Sequence, residues 1–126
     1  MGLNFSSVAP AELHRLLAAD PRLAVLDVRT PEEYAEAHVP QARNEELDAL
    51  QPEALFTRKI LSPGQPVYLI CRTENRARQA AVKFMEAGHP GVTVVTGGTL
   101  AWIAAGFPVA TALGRPSSRA SAAQPS

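Results

Sequence analysis

The sequence has very little cysteine: Cys71 is the single one among 126 residues. Neither an internal disulfide nor a zinc site with two or more thiolates can therefore form within it. Nor is there an excess of either charge, because twelve Lys and Arg balance twelve Asp and Glu. Nucleic-acid binders and membrane-surface proteins are normally basic overall, so no nucleic-acid or membrane partner is expected. Long hydrophobic runs are missing too. No stretch approaches the roughly 20 apolar residues of a membrane span, and no basic start with an apolar middle marks a signal peptide. The expectation is a cytoplasmic protein, and a lone thiol fits such a reducing compartment. What is present is 46% hydrophobic residues, enough to bury the core of one compact domain at this length.

The two ends stand apart. Met1 to Ser6 fits the N-myristoylation consensus, a loose pattern that needs only Gly2 and Ser6. Leu113 to Ser126 is rich in Ser, Ala and Pro and lacks apolar periodicity, which predicts a disordered tail. The folded domain is expected over residues 4–112 and the tail over 113–126.

Between them, strand and helix signals alternate. Pro10 suits a first helical position, and Leu13, Leu16 and Leu17 follow at helical spacing up to Asp20-Pro21. Leu23 to Val28 reads as a buried strand. Thr30 and Glu33 form a capping box around Pro31, which predicts a helix ended by His38-Val39-Pro40. Residues 44–61 are mixed, with helical pieces expected around Pro52. Val67 to Cys71 is the clearest buried strand. From Arg76 the stripe Ala77, Ala80, Ala81, Phe84, Met85 predicts a helix closed by Gly88. Val92 to Val95 reads as a further strand, and Thr99 to Ala105 as a helix following Gly97-Gly98. This alternation predicts an α/β domain with a largely parallel sheet.

Cys71 closes the central strand, and the next helix starts about five residues later. Ligands of open α/β sheets bind at the carboxyl ends of the strands. A short loop running into a helix turns backbone N–H groups into one space, with the positive end of the helix dipole behind them. The loop Arg72-Thr73-Glu74-Asn75-Arg76 adds two guanidinium groups, and Arg78 follows. Such surroundings favour the thiolate, the attacking form of the residue. Taken alone, a cysteine at a strand end is most often a small buried apolar residue. The polar loop argues otherwise, as does positive charge at a helix start, which opposes the dipole unless an anion is bound there. Spacing then separates two chemistries. A phosphate-wrapping C-x5-R loop needs arginine six positions after the cysteine, where this chain has Ala77. Arg76 at five leaves a tighter loop, which suits a persulfide sulfur better than a phosphate ester.

Three stretches together resemble the single-domain rhodanese family: Leu26 to Pro40 (LDVRTPEEYAEAHVP), Cys71 to Arg76 (CRTENR) and Gly97 to Val109 (GGTLAWIAAGFPV). The resemblance spans nearly the whole folded part. It implies a five-stranded, largely parallel sheet flanked by helices on both faces. The implied activity is that of a thiosulfate sulfurtransferase. Cys71 would be the nucleophile and would carry a persulfide. Arg72, Thr73, Glu74, Asn75 and Arg76 would bind the small anionic donor, thiosulfate or a persulfide, with Arg76 and Arg72 orienting it. No cofactor and no metal are implied. With no second cysteine, the acceptor must be external, a thiol or cyanide.

The remaining motif residues read as scaffold. Asp27 is placed to brace the loop or pair with Arg29, and His38 and Trp102 to pack. Glu74 departs from the family pattern, which usually has glycine there. It is expected either to distort the loop, to repel an anionic donor, or to pair with Arg72, Arg76 or Arg78. Ala37 and Gln41 also replace glycines common around His38-Val39-Pro40. A non-catalytic rhodanese-like binding or sulfur-relay module is the alternative reading.

Overall fold

The computed structural model describes residues 5–112 and the backbone of residues 116–117. The Gly2 pattern and most of the 113–126 tail lie outside the described residues.

The chain opens with β1 (Ser6–Val8) and α1 (Pro10–Ala19), followed by β2 (Ala24–Asp27), α2 (Pro31–Glu36) and β3 (Arg43–Asn44). A 3-10 turn at Leu47–Ala49 and α3 (Pro52–Thr57) fill the mixed region around Pro52. Then come β4 (Val67–Ile70), α4 (Asn75–Glu86), β5 (Val92–Val95), α5 (Gly98–Ala104) and the two short strands β6 (Val109–Ala110) and β7 (Pro116–Ser117). The capping box forms as the sequence predicts. Thr30 accepts from the Glu33 N–H, and the Glu33 side chain accepts from the Thr30 N–H. Boundaries move by a residue at the point of interest: β4 stops at Ile70, leaving Cys71 just past it, and α4 starts at Asn75, with Glu74 as its N-cap.

Five parallel strands form one sheet in the order β1-β5-β4-β2-β3. In-register partners such as Leu26 with Leu69 and Leu69 with Val94 line up across the sheet. Because successive side chains point to opposite faces, Leu26, Leu69 and Val94 enter one core with Ala77, Ala80, Ala81 and Phe84 of α4 and Leu55 of α3. Val25, Ile70 and Val95 enter the other core, with Leu13 and Leu17 of α1 and Trp102 of α5. Burial on both sides explains why β2, β4 and β5 read as continuous apolar runs.

The edge strands were not legible. Ser6–Val8 pairs along Thr93–Val95 and Arg43–Asn44 along Leu26–Asp27, yet neither shows apolar alternation. An edge strand is held through its backbone, and here only Val8 contributes an apolar contact to a core. The pair β6 and β7 is antiparallel and separate from the main sheet. Among the described residues no helix is long and apolar enough to cross a membrane.

Candidate active site

Cys71 lies at the carboxyl end of β4, the middle strand of the sheet, and only 1% of the residue is exposed. Any reagent that reaches the thiol must therefore approach past the loop that follows. Among the described residues, the amides of Arg72, Thr73, Glu74, Asn75 and Arg76 have no hydrogen-bond acceptor, and they run directly into the first turn of α4. Consecutive free amides at the start of a twelve-residue helix form a positive nest.

On the carbonyl side of the same loop, two groups are held from α5. Thr99 N–H donates to the Cys71 carbonyl at 2.8 Å, and Leu100 N–H to the Arg72 carbonyl at 3.1 Å. The start of α5 thus grips the loop from outside. Gly98 makes that grip possible: with φ +60, a Cβ there would stand 2.4 to 2.6 Å from the carbonyl oxygens of Cys71, Thr73 and Arg72.

The three arginines are gathered here, but they are not three free charges. Arg76 gives both Nη groups to Glu33 of α2, at 2.6 and 2.9 Å, across 43 residues of sequence. Arg78 gives Nη2 and Nε to Glu74 Oε1, at 2.6 and 3.2 Å. Arg72 is exposed and has no carboxylate partner among the described residues. The strongly electropositive cradle expected from the sequence is thus largely neutralised, because two acids that lie apart from those arginines in the sequence, or beside them, fold onto them. The Arg76 fork, expected to orient a donor, is occupied by Glu33. Arg76 holds its proton more tightly than usual, chiefly through the Glu33 bond, with Cys71 adding to the pull.

Glu74 has a negative φ of −149°, so the backbone at this position does not require glycine. Its second oxygen accepts the Gly97 N–H at 3.1 Å, so one carboxylate joins the loop, α4 and the entry to α5. The Arg78 bond, followed by the Gly97 amide, lowers its pKa below the ordinary carboxylate range. The expected pairing with an arginine is realised, with Arg78 as the partner.

Further from the thiol, Asp27 is fully buried and takes Arg29 bidentately, Nε to Oδ1 at 2.9 Å and Nη2 to Oδ2 at 2.8 Å. Arg29 also donates to the Ala37 carbonyl, so the pair pins the end of β2 to the end of α2. His38 stacks on Tyr34 with ring centres 3.6 Å apart and bonds the Tyr34 carbonyl through Nδ1. Burial pushes its pKa down. Trp102 is 1% exposed and donates to the Pro108 carbonyl. All three occupy the packing and bracing positions read from the sequence. In the sequence, Glu33 marks only half of a capping box. Its link to Arg76 had no local signal, because the two residues meet only when α2 docks beside the loop.

Glu33 titrates at about 2, against an ordinary 4.5, chiefly because of Arg76, and burial opposes the shift. A lowered folded-state pKa gives stability that is complete above about 4.5 and fades as pH falls toward about 2. The pair is about 30% exposed, so solvent screening reduces its worth to about 1–2 kcal/mol. Glu33→Gln retains a capping side chain and removes the charge. It should lower stability by that amount at pH 7, and urea melts of the two proteins should converge between pH 4.5 and pH 2. A gap that persists unchanged at pH 2 would assign the loss to packing instead.

Fold and site together define an α/β domain whose one thiol sits at the carboxyl edge of a parallel sheet, within a loop of free amides. The chain belongs to the rhodanese-like domain family, whose profile it matches over residues 9–105. It is 33% identical over 111 residues to thiosulfate sulfurtransferase 16, chloroplastic, of Arabidopsis thaliana, covering 82% of this chain and 91% of that protein. It is 33% identical over 102 residues to an uncharacterised protein of Synechocystis, covering 81% of this chain and 54% of that one, so it spans about half the length of that relative. Among solved structures, the BH2092 protein from Bacillus halodurans superposes with a TM-score of 0.74 at 26% identity, covering 86% of this chain and 78% of that chain.

Proposed function

We propose that this domain is a sulfurtransferase that carries a sulfane sulfur on Cys71. The observation that supports this reading best is the placement of Cys71 in a loop whose amides from Arg72 to Arg76 lack protein acceptors. Unused donors facing one space stabilise negative charge there, and a persulfide places an anionic terminal sulfur at that position. In the first step the Cys71 thiolate attacks the outer sulfur of thiosulfate. A new S–S bond forms, and the donor's own S–S bond breaks, with its electron pair leaving on sulfite. In the second step cyanide or an external thiolate attacks the terminal sulfur, and the electron pair returns to Cys71. This is covalent catalysis by double displacement, with ping-pong kinetics. The chain's lone cysteine cannot resolve its own persulfide, so the acceptor arrives from outside. Thr73 and Asn75 contribute through their amides, and Arg72 attracts the donor.

The test is a mass measurement. After incubation with thiosulfate and removal of small molecules, the intact protein should gain the mass of one sulfur atom. Cyanide should remove it and release thiocyanate. If neither thiosulfate nor a persulfide donor adds sulfur, the domain is instead a non-catalytic binding module.

A further inference from the structure

Whether the mouth of the loop suits a dianion or a monoanion depends on how its charges are paired. Arg72, Arg76 and Arg78 surround the loop, but Glu33 takes the fork of Arg76 and Glu74 takes Arg78. The first pair ties the loop to α2. The second stands at the loop itself, since Glu74 is a loop residue and the N-cap of α4. It is also the more open of the two, with the Arg78 side chain 58% exposed and that of Glu74 31% exposed. That leaves Arg72 as the loop arginine without a carboxylate partner among the described residues. Thiosulfate carries two negative charges at neutral pH, and an alkyl persulfide carries one.

We infer that Glu74 sets the donor class: by holding Arg78 and adding a carboxylate to the loop, it biases the site toward monoanionic persulfides and against dianionic thiosulfate. The inference rests on the sulfur-transfer reading above. Glu74 acts here as a specificity residue through its charge. Its other bond, to the Gly97 amide, is a matter of loop shape, and glutamine retains an oxygen able to accept there. Charge and shape can therefore be separated.

The experiment follows single-turnover loading of Cys71 by thiosulfate and by mercaptoethanol persulfide, in the full chain. Three variants are compared: Glu74→Gln, Arg78→Gln and the double variant, each first checked by thermal melting. Glu74→Gln frees Arg78 and should raise the loading constant for thiosulfate about tenfold, and that for the persulfide less than about threefold. Arg78→Gln leaves the carboxylate unpaired and should move thiosulfate in the opposite direction. The double variant should return close to wild type. Added potassium chloride should shrink the thiosulfate gain, because the effect is electrostatic at an exposed site. Equal changes for both donors in Glu74→Gln would overturn the inference and assign Glu74 to loop shape. No change for either donor would overturn it as well. Loading of wild type by neither donor would remove the sulfur-transfer reading itself, an outcome distinct from loading without discrimination.

Discussion

Cys71→Ser is expected to abolish sulfur loading, with a loss of at least about a thousandfold in transfer to cyanide. Serine keeps the size and position of the side chain, and the loop amides and the α5 grip are unaffected by the change. What it removes is a nucleophile soft enough to attack sulfane sulfur, and no other cysteine can substitute. The fold should persist. The residue belongs to the same buried cluster as Val28, Leu69 and Ala77, and a hydroxyl there costs about 1 kcal/mol, well within the stability of an ordinary domain. Intact mass after thiosulfate treatment and a thermal melt check the two halves of the expectation. Turnover that survives in a folded Cys71→Ser protein would mean that transfer does not pass through a protein persulfide.

Gly98→Ala should have the second large effect, for a reason unconnected with chemistry at sulfur. A left-handed backbone costs a non-glycine residue about 1–2 kcal/mol. At Gly98 that strain is joined by three backbone carbonyls within 2.6 Å of the new Cβ, none of which can rotate away as a side chain would. Either α5 or the Cys71 loop must shift, at a total cost of about 3 kcal/mol or more. The hydrogen bonds from Thr99 and Leu100 that shape the loop depend on the same contact. A displaced loop should reduce transfer in the remaining folded protein by about a hundredfold. Gly106→Ala is the control. Its φ is also positive, at +83°, but nothing lies within 4 Å of a Cβ there. It should cost only the backbone strain and leave transfer intact. Urea melts with single-turnover loading distinguish the two. Equal behaviour of the two variants would show that the close approach at Gly98 does not shape the loop.

The site was legible in the sequence to the extent that its signals were local. Cys71 at the end of an apolar run, a polar loop after it and an alanine-rich helical stripe all lie within a few residues of one another. Thr30 and Glu33 announced their capping box for the same reason. Two matters were not legible. The edge strands Ser6–Val8 and Arg43–Asn44 are held by pairing to a neighbour rather than by their own pattern. The electrostatics of the loop depend on which carboxylates reach its arginines, and Arg76 meets Glu33 from 43 residues away.

The amino-acid sequence by itself determined the alternating α/β order, the two-sided core of the middle strands and the position of the one thiol, because periodicity and turn chemistry act over short spans. Only the tertiary structure decided how its three motif stretches work together. Docking of α2 brings Glu33 onto Arg76, and docking of α5 brings Gly98, Thr99 and Leu100 under the carbonyls beside Cys71. Hydrogen bonding falls off within a few ångströms and screened charge within about 10 Å, so residues distant along the chain affect the thiol's surroundings only once packing has closed that distance. The neutral sum of the composition was no guide to this, since it fixed the number of charges and not which ones would meet.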